Sequence, residues 1–420
     1  MPSVAAYVFL AILTLLLVWL LLRFRMERRF RRRPYVGAEF RQWQEQQLPT
    51  VEPVYRVALV GDLGAVATDG TDPVLQLLRN WVQTAGTASA VVVLGDNVYP
   101  TGIPPQQTPG RAAAERRLAS QLEVFQNYTG QVVYLSGNHD WNKGRPDGYE
   151  YLLRQEELVA HWLPQAQYLP PRGCPGPVTL QLAPGLLLVV LNTQWWVQHG
   201  RRPQGELDGC PPDDGRTPFQ QLLQILRDNQ QQRILVAGHH PLYSNAMHGG
   251  NFTTRQHMFP LTAIHKKAYI PLPILGSLFP LYRTLIGAEE DMAHPRYRHM
   301  RRRLLRVLKQ FPNLVYAAGH DHNLQYFKRD GSHYLVSGSG SKTAFVQAGG
   351  QAAFTHEQKG FFALEYYANG EVWLRTLEPG ISLTGPAAAP EPFRWQLVAA
   401  RTVPKMTPPT PVSVRVGSAE

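Results

Sequence analysis

The sequence Gly319-His320-Asp321-His322 places two histidines and an aspartate directly after the apolar run 313–318. Four other segments repeat this arrangement, in which metal-binding side chains follow an apolar, strand-like run. In chain order they are Gly61-Asp62-Leu63-Gly64, Gly95-Asp96-Asn97-Val98-Tyr99, Gly137-Asn138-His139-Asp140 and Val236-Ala237-Gly238-His239. One Gly-Asp or Gly-His pair has little meaning, but together these segments contain the side chains of a complete two-metal hydrolase site.

The chemistry of these side chains limits the metals that they can bind. They offer carboxylate, phenol, amide and imidazole groups, and no cysteine occurs among them. Such ligands suit hard or borderline ions such as iron, manganese and zinc, whereas copper(I) and iron–sulfur clusters favour soft thiolates. The segments therefore predict a site for ions of the first kind.

The order and spacing of the segments resemble the metallophosphoesterase superfamily and, within it, the purple acid phosphatases. The blocks of that family read D-x-G, G-D-x-x-Y, G-N-H-D, V-x-x-H and G-H-x-H, and this sequence matches each of them. The resemblance covers roughly residues 54–378. It is closest to the small, mammalian-type acid phosphatases, particularly from Gly319 to Tyr326.

The resemblance implies a ligand set for each of two metal ions. One ion is assigned Asp62, Asp96, Tyr99 and His322, and the other Asp96, Asn138, His239 and His320. The shared carboxylate of Asp96 would offset the repulsion between the ions and hold them roughly 3.5–4 Å apart. Taken singly, these residues have structural alternatives, since Asp62 and Asp96 could cap helices and Asn138 could stabilise a turn. Those alternatives require that all the ligand types fall in this order by chance.

Tyr99 indicates which metal occupies the first site. Ordinary metallophosphoesterases have D-x-H in the first block, where the histidine is a ligand, and Gly64 occupies that place here. Tyr99 replaces the lost ligand, unless it is simply a buried core tyrosine. A phenol with a reference pKa of about 10 binds as phenolate only beside a strong Lewis acid. Iron(III) is therefore expected at this site, with iron(II), zinc(II) or manganese(II) at the other.

The resemblance also assigns the catalytic residues. Metal-bound hydroxide serves as the nucleophile, so no serine or cysteine nucleophile is needed. In the family, two histidines beside the metal ligands protonate the leaving group and neutralise charge, and they correspond here to His139 and His248. Asp140 is expected to orient His139. A histidine without such neighbours would more often be a structural residue.

Strand-like and helix-like stretches alternate along the chain, which predicts a layered α/β fold. The strands are expected at 54–60, 90–94, 131–135, 186–191, 232–237 and 313–318, and the helices at about 73–84, 113–127, 217–230 and 297–310. Toward the C-terminus, Arg329-Asp330-Gly331 and Asn369-Gly370 indicate hairpin turns and hence antiparallel strands. Together with the resemblance, this pattern predicts a four-layer sandwich of two mixed β-sheets flanked by helices, preceded by a transmembrane helix.

The 420-residue chain, with 44% hydrophobic residues, is expected to form one catalytic domain with appendages. Residues 1–33 are interpreted as a transmembrane anchor with an Arg-rich juxtamembrane segment, 34–53 as a linker, 54–378 as the catalytic domain and 379–420 as a loosely ordered Pro/Ala-rich tail. The anchor rests on Val4 to Leu22, 19 residues without a charge, which is long enough to cross a bilayer. A cleaved signal peptide is the alternative, but the run is long and no cleavage site follows it.

Seven arginines lie between residues 23 and 33 and oppose the single acidic residue Glu27, which gives +6 of the net charge of +11. The basic character therefore describes a juxtamembrane segment suited to anionic headgroups, and no nucleic-acid partner is expected. The positive-inside rule favours a cytoplasmic catalytic domain. The family, whose members are usually secreted or lysosomal, indicates the opposite side. Cys174 and Cys210 lie in Pro/Gly-rich loops where a disulfide is possible, but two cysteines do not decide the compartment.

These observations predict a membrane-anchored phosphatase that hydrolyses phosphate monoesters of small molecules. An apolar insert at about 249–295 departs from the family and favours an alternative, a phosphodiesterase or pyrophosphohydrolase acting on lipid-linked substrates. The insert would be either a lid packed on the domain or a surface that dips into the bilayer, because its prolines preclude a regular spanning helix. A non-catalytic scaffold is a third alternative, which the loss of a ligand or of His139 would have indicated.

Overall fold

A computed structural model describes residues 3–31, 33–211, 216–263, 265, 267–272, 275–380 and 391–399. The strands in these ranges are β1 (Tyr35–Val36), β2 (Tyr55–Val60), β3 (Ser89–Val93), β4 (Gln131–Tyr134), β5 (Ala166–Tyr168), β6 (Val178–Ala183), β7 (Leu186–Val190), β8 (Arg233–Ala237), β9 (Val315–Ala318), β10 (Leu324–Arg329), β11 (Ser332–Ser337), β12 (Phe354–His356), β13 (Phe361–Tyr366), β14 (Val372–Leu377) and β15 (Arg394–Val398). The α-helices are α1 (Val4–Phe30), α2 (Pro73–Ala85), α3 (Arg111–Leu122), α4 (Gly148–Trp162), α5 (Gln194–Val197), α6 (Pro218–Asp228), α7 (Thr254–Met258), α8 (Leu275–Leu285) and α9 (Pro295–Leu308).

The strands form two mixed sheets. One has the order β1-β12-β10-β11-β9-β8-β7-β6, and the other β15-β14-β13-β2-β3-β4-β5. In the second sheet, β2, β3 and β4 run parallel, with Val57 opposite Ala90 and Val91 opposite Val132. In the first sheet, β7, β8 and β9 are parallel. The remaining neighbours pair largely as antiparallel strands, as the hairpin turns at 329–331 and 369–370 predict.

Three hydrophobic clusters arrange the elements in four layers. The inner faces of both sheets meet in one cluster, in which Leu59 and Leu94 share the core with Leu188 and Leu235. The outer face of the second sheet packs on α2, α3 and α4, and that of the first sheet on α6 and α9. The expected four-layer sandwich is confirmed, and the predicted helices and strands recur in the structure with shifted ends.

Local sequence fixes where the surface helices begin. Asp72 precedes α2, and its carboxylate accepts hydrogen bonds from the amides of Val74 and Leu75. Pro73 occupies the first helical position, where its missing N–H is not needed. Before α6, Thr217 and Gln220 form a capping box. These caps place both helices next to the sheets that they cover.

Two segments outside the predicted domain take part in the fold. Tyr35–Val36, in the predicted linker, pairs with β12, and the ring of Phe40 packs 4.6 Å from that of Trp395. Arg394–Val398, in the predicted tail, forms the edge strand β15 beside β14. Pairing with a distant strand orders these short segments, which lack a clear pattern of their own. The rest of the predicted tail, 381–390 and 400–420, lies outside the described residues.

The insert folds as two short helices, α7 and α8, joined by a segment of which 264, 266 and 273–274 lie outside the described residues. With 11 residues, α8 is too short to span a bilayer, in line with the expectation from its prolines. By contrast, Ala6–Phe30 of α1 is long and apolar enough to do so, and its most apolar window has a mean hydropathy of 2.4 and no buried residue.

Candidate metal centre

The arrangement of the strands brings the five sequence segments to one place. Asp62, Asp96 and Asn138 follow the ends of β2, β3 and β4, while His239 and His320 follow β8 and β9. Carboxyl ends of parallel strands meet at one edge of a sheet. Hydrogen bonds then join the two sheets at this edge: the His320 amide donates to Asp62 Oδ2 at 2.8 Å. The predicted ligands of both metals therefore share one site.

The first group of donor atoms surrounds the hydroxyl of Tyr99. This oxygen lies 2.8 Å from Asp62 Oδ1, 3.1 Å from Asp96 Oδ2 and 2.9 Å from His322 Nε2. His322 Nε2 is also 3.4 Å from Asp62 Oδ1. All four side chains assigned to the first ion thus direct an oxygen or nitrogen atom to one point.

The second group consists of Asn138, His239 and His320. Asn138 Oδ1 lies 3.1 Å from His239 Nε2 and 3.2 Å from His320 Nδ1, and these two nitrogens are 3.2 Å apart. The other nitrogen of each ring faces a carbonyl: His239 Nδ1 is 2.8 Å from Leu94 O, and His320 Nε2 is 3.1 Å from Glu290 O. Donation of the ring N–H to these carbonyls leaves the inner nitrogens with lone pairs, as metal ligation requires.

Asp96 lies between the two groups. Its Oδ2 atom faces Tyr99, while Oδ1 lies 3.5 Å from His239 Nε2. Burial opposes ionisation of Asp96, but the imidazoles of His239 and His139 hold its pKa below the usual range. Burial and the neighbouring His248 also lower the pKa of His320 well below that of a free histidine, so its imidazole is neutral. Buried carboxylate, amide and imidazole groups that converge in this way can bind cations.

Three of the predicted ligands have strained backbone conformations, which determine the direction of their side chains. Asp62, Asp96 and His320 have positive φ angles of 60°, 55° and 71°. Residues other than glycine rarely adopt this conformation, and such outliers concentrate at functional sites. Each of these residues turns the chain sharply at the end of its strand. These strained turns hold the side chains beyond the ends of the strands instead of beside the strands.

Gly64 makes room for Tyr99. A Cβ atom at position 64 would lie 2.6 Å from the Tyr99 amide nitrogen, 2.7 Å from Tyr99 Cδ2 and 2.8 Å from Asp96 O. A backbone hydrogen bond also joins the two residues, with Tyr99 N donating to Gly64 O at 3.0 Å. Any side chain at position 64 would therefore displace the tyrosine. This contact explains physically why the D-x-G block and the tyrosine occur together.

The surroundings of Tyr99 disfavour its phenolate form in the absence of a cation. Burial first, and then the carboxylates of Asp62 and Asp96, raise the pKa of this phenol well above its ordinary value. The ammonium of Lys342 lies 3.4 Å from the centre of the ring. Lys342 was not predicted from the sequence, and it brings a positive charge to the mouth of the site.

Asp140 has a different role from the one expected. Its buried carboxylate accepts hydrogen bonds from the amides of Asn97, Val98 and Gly137 at 2.9, 3.2 and 2.8 Å. Burial and the nearby Asp96 raise its pKa to about 7. His139 instead directs Nδ1 to the carbonyl oxygen of Pro100 at 2.5 Å. Asp140 thus braces two ligand-bearing loops, and the Pro100 carbonyl orients His139.

The predicted histidines lie on two sides of the metal ligands. His139 Nε2 is 3.9 Å from Asp96 Oδ2, and the His139 ring lies 4.4 Å from that of Tyr99. The ring of His248 lies 4.3 Å from that of His320. Both side chains are about one-fifth exposed, so they border the ligands and still reach solvent. The structure thus brings both histidines to the site, beside opposite donor groups.

The insert contributes contacts that the sequence analysis missed. His248 Nδ1 lies 2.9 Å from Asp291 Oδ1, and His240 Nε2 lies 3.2 Å from Glu290 Oε2. Glu290 also offers the carbonyl that orients His320. The acidic run Glu289-Glu290-Asp291, inside the insert and directly after its apolar stretch, was the available signal. His240, Glu290 and His320 have ligand atoms close enough to hold an ion as well.

Comparisons with known proteins agree with this geometry. The calcineurin-like phosphoesterase family matches residues 55–324. The tartrate-resistant acid phosphatase type 5 of Oryctolagus cuniculus is 25% identical over 312 residues, which are 71% of this chain and 75% of that protein.

Solved structures with a similar fold are more distant. GAP50, the anchor in the inner membrane complex of Plasmodium, has a TM-score of 0.47 at 14% identity, with 77% of this chain and 84% of that chain covered. The purple acid phosphatase PPD1 from yellow lupin (Lupinus luteus) seeds has a TM-score of 0.45 at 14% identity, with 79% and 52% covered. From the family match over more than half its length, the chain belongs to the calcineurin-like phosphoesterase family and is a hydrolase similar to the purple acid phosphatases.

Proposed function

We propose that this protein is a membrane-anchored, dinuclear metal-dependent phosphatase that hydrolyses phosphate monoesters. One observation carries the proposal: two groups of buried donor atoms converge on separate points and share Asp96 between them. Carboxylate, phenol, amide and imidazole groups that converge in this way are of the types that bind iron, manganese and zinc. The non-catalytic alternative is disfavoured because every predicted ligand is present and directed inward.

The residues of each group would hold one ion. Asp62, Asp96, Tyr99 and His322 would bind iron(III), and Asp96, Asn138, His239 and His320 would bind iron(II), zinc(II) or manganese(II). The bound ions supply Lewis acidity toward the phosphoryl group and make water a stronger acid. The phenol of Tyr99 has a raised pKa, so its binding as phenolate requires the more strongly polarising ion.

Side chains of the protein would then neutralise charge on the substrate and transfer protons. His248, held through Nδ1 by Asp291, faces the second donor group and is suited to neutralise a phosphoryl oxygen. His139, held through Nδ1 by the Pro100 carbonyl, is suited to donate a proton to the leaving alcohol. Lys342 adds a fixed positive charge beside Tyr99 that favours a dianionic ester.

As a membrane anchor, helix α1 would hold this site at a bilayer. Helix α1 is long and apolar enough to span a bilayer, and its arginines follow the apolar run directly. We expect the catalytic domain on the cytoplasmic face, because arginines beside an anchor resist translocation. The disulfide between Cys174 and Cys210 supports the opposite side, since such bonds persist in oxidising compartments.

Phosphate release tests the proposal. The purified full-length chain, loaded with iron, is expected to release phosphate from p-nitrophenyl phosphate faster than it cleaves bis(p-nitrophenyl) phosphate. Asp96→Ala should abolish release and lower the bound metal, while Asp69→Ala, at an exposed aspartate, should change neither. Preference for the diester would favour the phosphodiesterase alternative. Full activity of Asp96→Ala would contradict the metal-dependent reaction.

A further inference from the structure

Helix α8 has an inverted burial pattern. Its buried side consists of Gly276, Pro280 and Arg283, which recur at helical spacing. Its exposed side is apolar, with Leu275, Leu278, Phe279, Leu281, Tyr282 and Leu285 each 46–64% exposed. A surface helix of a water-soluble domain buries its apolar face and exposes its charges. The face of α8 therefore suits an apolar partner rather than water.

The anchor helix α1 lies next to this face. Arg23 follows the last residue of the apolar run and donates to the carbonyl of Phe252 at 2.9 Å. One turn later, Glu27 accepts hydrogen bonds from the amide and hydroxyl of Thr254 at 2.8 and 2.7 Å. These contacts fix α7 to the end of α1 that leaves the bilayer. A cleft of about 450 Å³, lined by Arg23, Leu278 and Leu281 among others, separates α1 from α8.

The buried side of α8 reaches the metal centre. Arg283 Nε donates to Asp291 Oδ2 at 2.7 Å, and a second guanidinium nitrogen contacts Asp291 Oδ1. Asp291 in turn holds His248, and the preceding Glu290 orients His320. The same helix thus presents apolar side chains outward and, through Asp291, supports His248 on its inner side. A partner that binds its outer face would lie beside the site.

We propose that the exposed face of α8 inserts into the lipid bilayer beside the anchor helix, and that the metal centre therefore acts on phosphate esters carried by membrane lipids. The occupant is the bilayer because Leu278 and Leu281 of this face line one cleft with Arg23, which marks the end of the apolar run of α1. The substrate part of this inference rests on the phosphatase activity proposed above. The insertion of α8 into the bilayer does not depend on that activity.

An environment-sensitive fluorophore tests docking without enzyme activity. Because both native cysteines form the disulfide, Leu285→Cys gives one reactive thiol. The labelled full-length protein is reconstituted in phosphatidylcholine vesicles, where its emission should shift to the blue and be quenched by lipid-borne quenchers. Leu207→Cys, at a fully exposed leucine outside the insert, is the matched control and should show neither effect.

Two outcomes would overturn docking. Emission at position 285 that equals the control means that α8 faces water. A blue shift that disappears when the protein is diluted into excess lipid means that a second copy of the chain covers the face.

The substrate class is tested with Leu275→Gln/Leu285→Gln, which replaces the two most exposed leucines of α8. Turnover of phosphatidic acid in phosphatidylcholine vesicles should fall about tenfold or more, because the site is no longer held against the lipid surface. Turnover of p-nitrophenyl phosphate should stay within about twofold, which shows that the metal centre is intact. Leu207→Gln should change neither rate.

Three other results would each decide between the possible explanations. An equal loss on both substrates, with a lower melting temperature, would show that α8 is a structural lid and overturn the lipid-substrate inference. Unchanged turnover of phosphatidic acid would also overturn it. If the wild type cleaves no phosphate ester while the label at 285 still shifts, the proposed activity fails and the docking surface stands.

Discussion

The contact between Gly64 and Tyr99 predicts that Gly64→Ala removes the first metal ion. The new methyl carbon would lie 2.6 Å from the Tyr99 amide nitrogen, whereas ordinary contact begins at 3.4 Å, so the tyrosine must move by roughly 0.8 Å. Metal ligands tolerate displacements of only about 0.2 Å. The phenol oxygen would therefore leave the point where it meets Asp62 and His322. Overpacking of this kind costs about 1–3 kcal/mol of folding stability.

The assay combines a visible spectrum with thermal unfolding. Oxidised wild type with iron(III) at Tyr99 should show a phenolate-to-iron charge-transfer band, and Gly64→Ala should lose it and bind less iron. Its melting temperature should fall by roughly 2–10 °C. Gly238→Ala is the control, because its methyl group would lie 2.8 Å from Thr193 Cγ2, away from Tyr99. It should lose similar stability and retain the band.

A full band and an unchanged melting temperature in Gly64→Ala would refute the steric reasoning. Loss of the band in both variants would mean that general destabilisation, and not displacement of Tyr99, removes the band. A colourless wild type with two zinc ions per chain would remove the iron assignment, but the difference in melting temperature would still test the contact.

Further outcomes follow from the same geometry. Tyr99→Phe should abolish the visible band while the fold, measured by circular dichroism, is kept. His139→Ala should retain both metals by mass spectrometry and lose about 10²–10⁴-fold in turnover, the usual scale for a proton donor, so a near-normal rate would remove its catalytic role. In intact spheroplasts, added protease should leave the catalytic domain undigested. Rapid digestion from outside would instead place the domain, with its Cys174–Cys210 disulfide, in an oxidising compartment.

The central sheets and the site were predictable because local sequence determines both. Each predicted strand that carries a ligand is a short apolar run followed by a glycine and a polar residue, and parallel strands carry such residues to one edge. Gly64 and Tyr99 could be linked through the resemblance alone. Their physical link, the absence of space for a Cβ atom, needs coordinates because it depends on how the two loops cross.

Features that depend on distant partners were not predictable. Residues 394–398 become a strand only through pairing with β14, and Phe40 joins the core only through contact with Trp395. The hydrogen bonds of Asp140 also depend on residues that are distant in the sequence. Its carboxylate accepts from three backbone amides of two different loops, and not from the neighbouring His139. In the insert, no periodicity of the sequence shows that Asp291 contacts His248, which lies 43 residues earlier in the chain.

The short connection between α1 and the first sheet has a kinetic consequence for an anchored enzyme. Helix α1 ends at Phe30 and β1 begins at Tyr35, so residues 31–34 alone join the anchor to the fold. Contacts of Arg23 and Glu27 with the insert fix the same end of the helix. If α1 spans a bilayer as proposed, the catalytic domain would keep one height and one orientation above it and would search in two dimensions. Its rate on a lipid substrate would follow the number of substrate molecules per unit of membrane area, and adding more vesicles of the same composition would leave that rate unchanged.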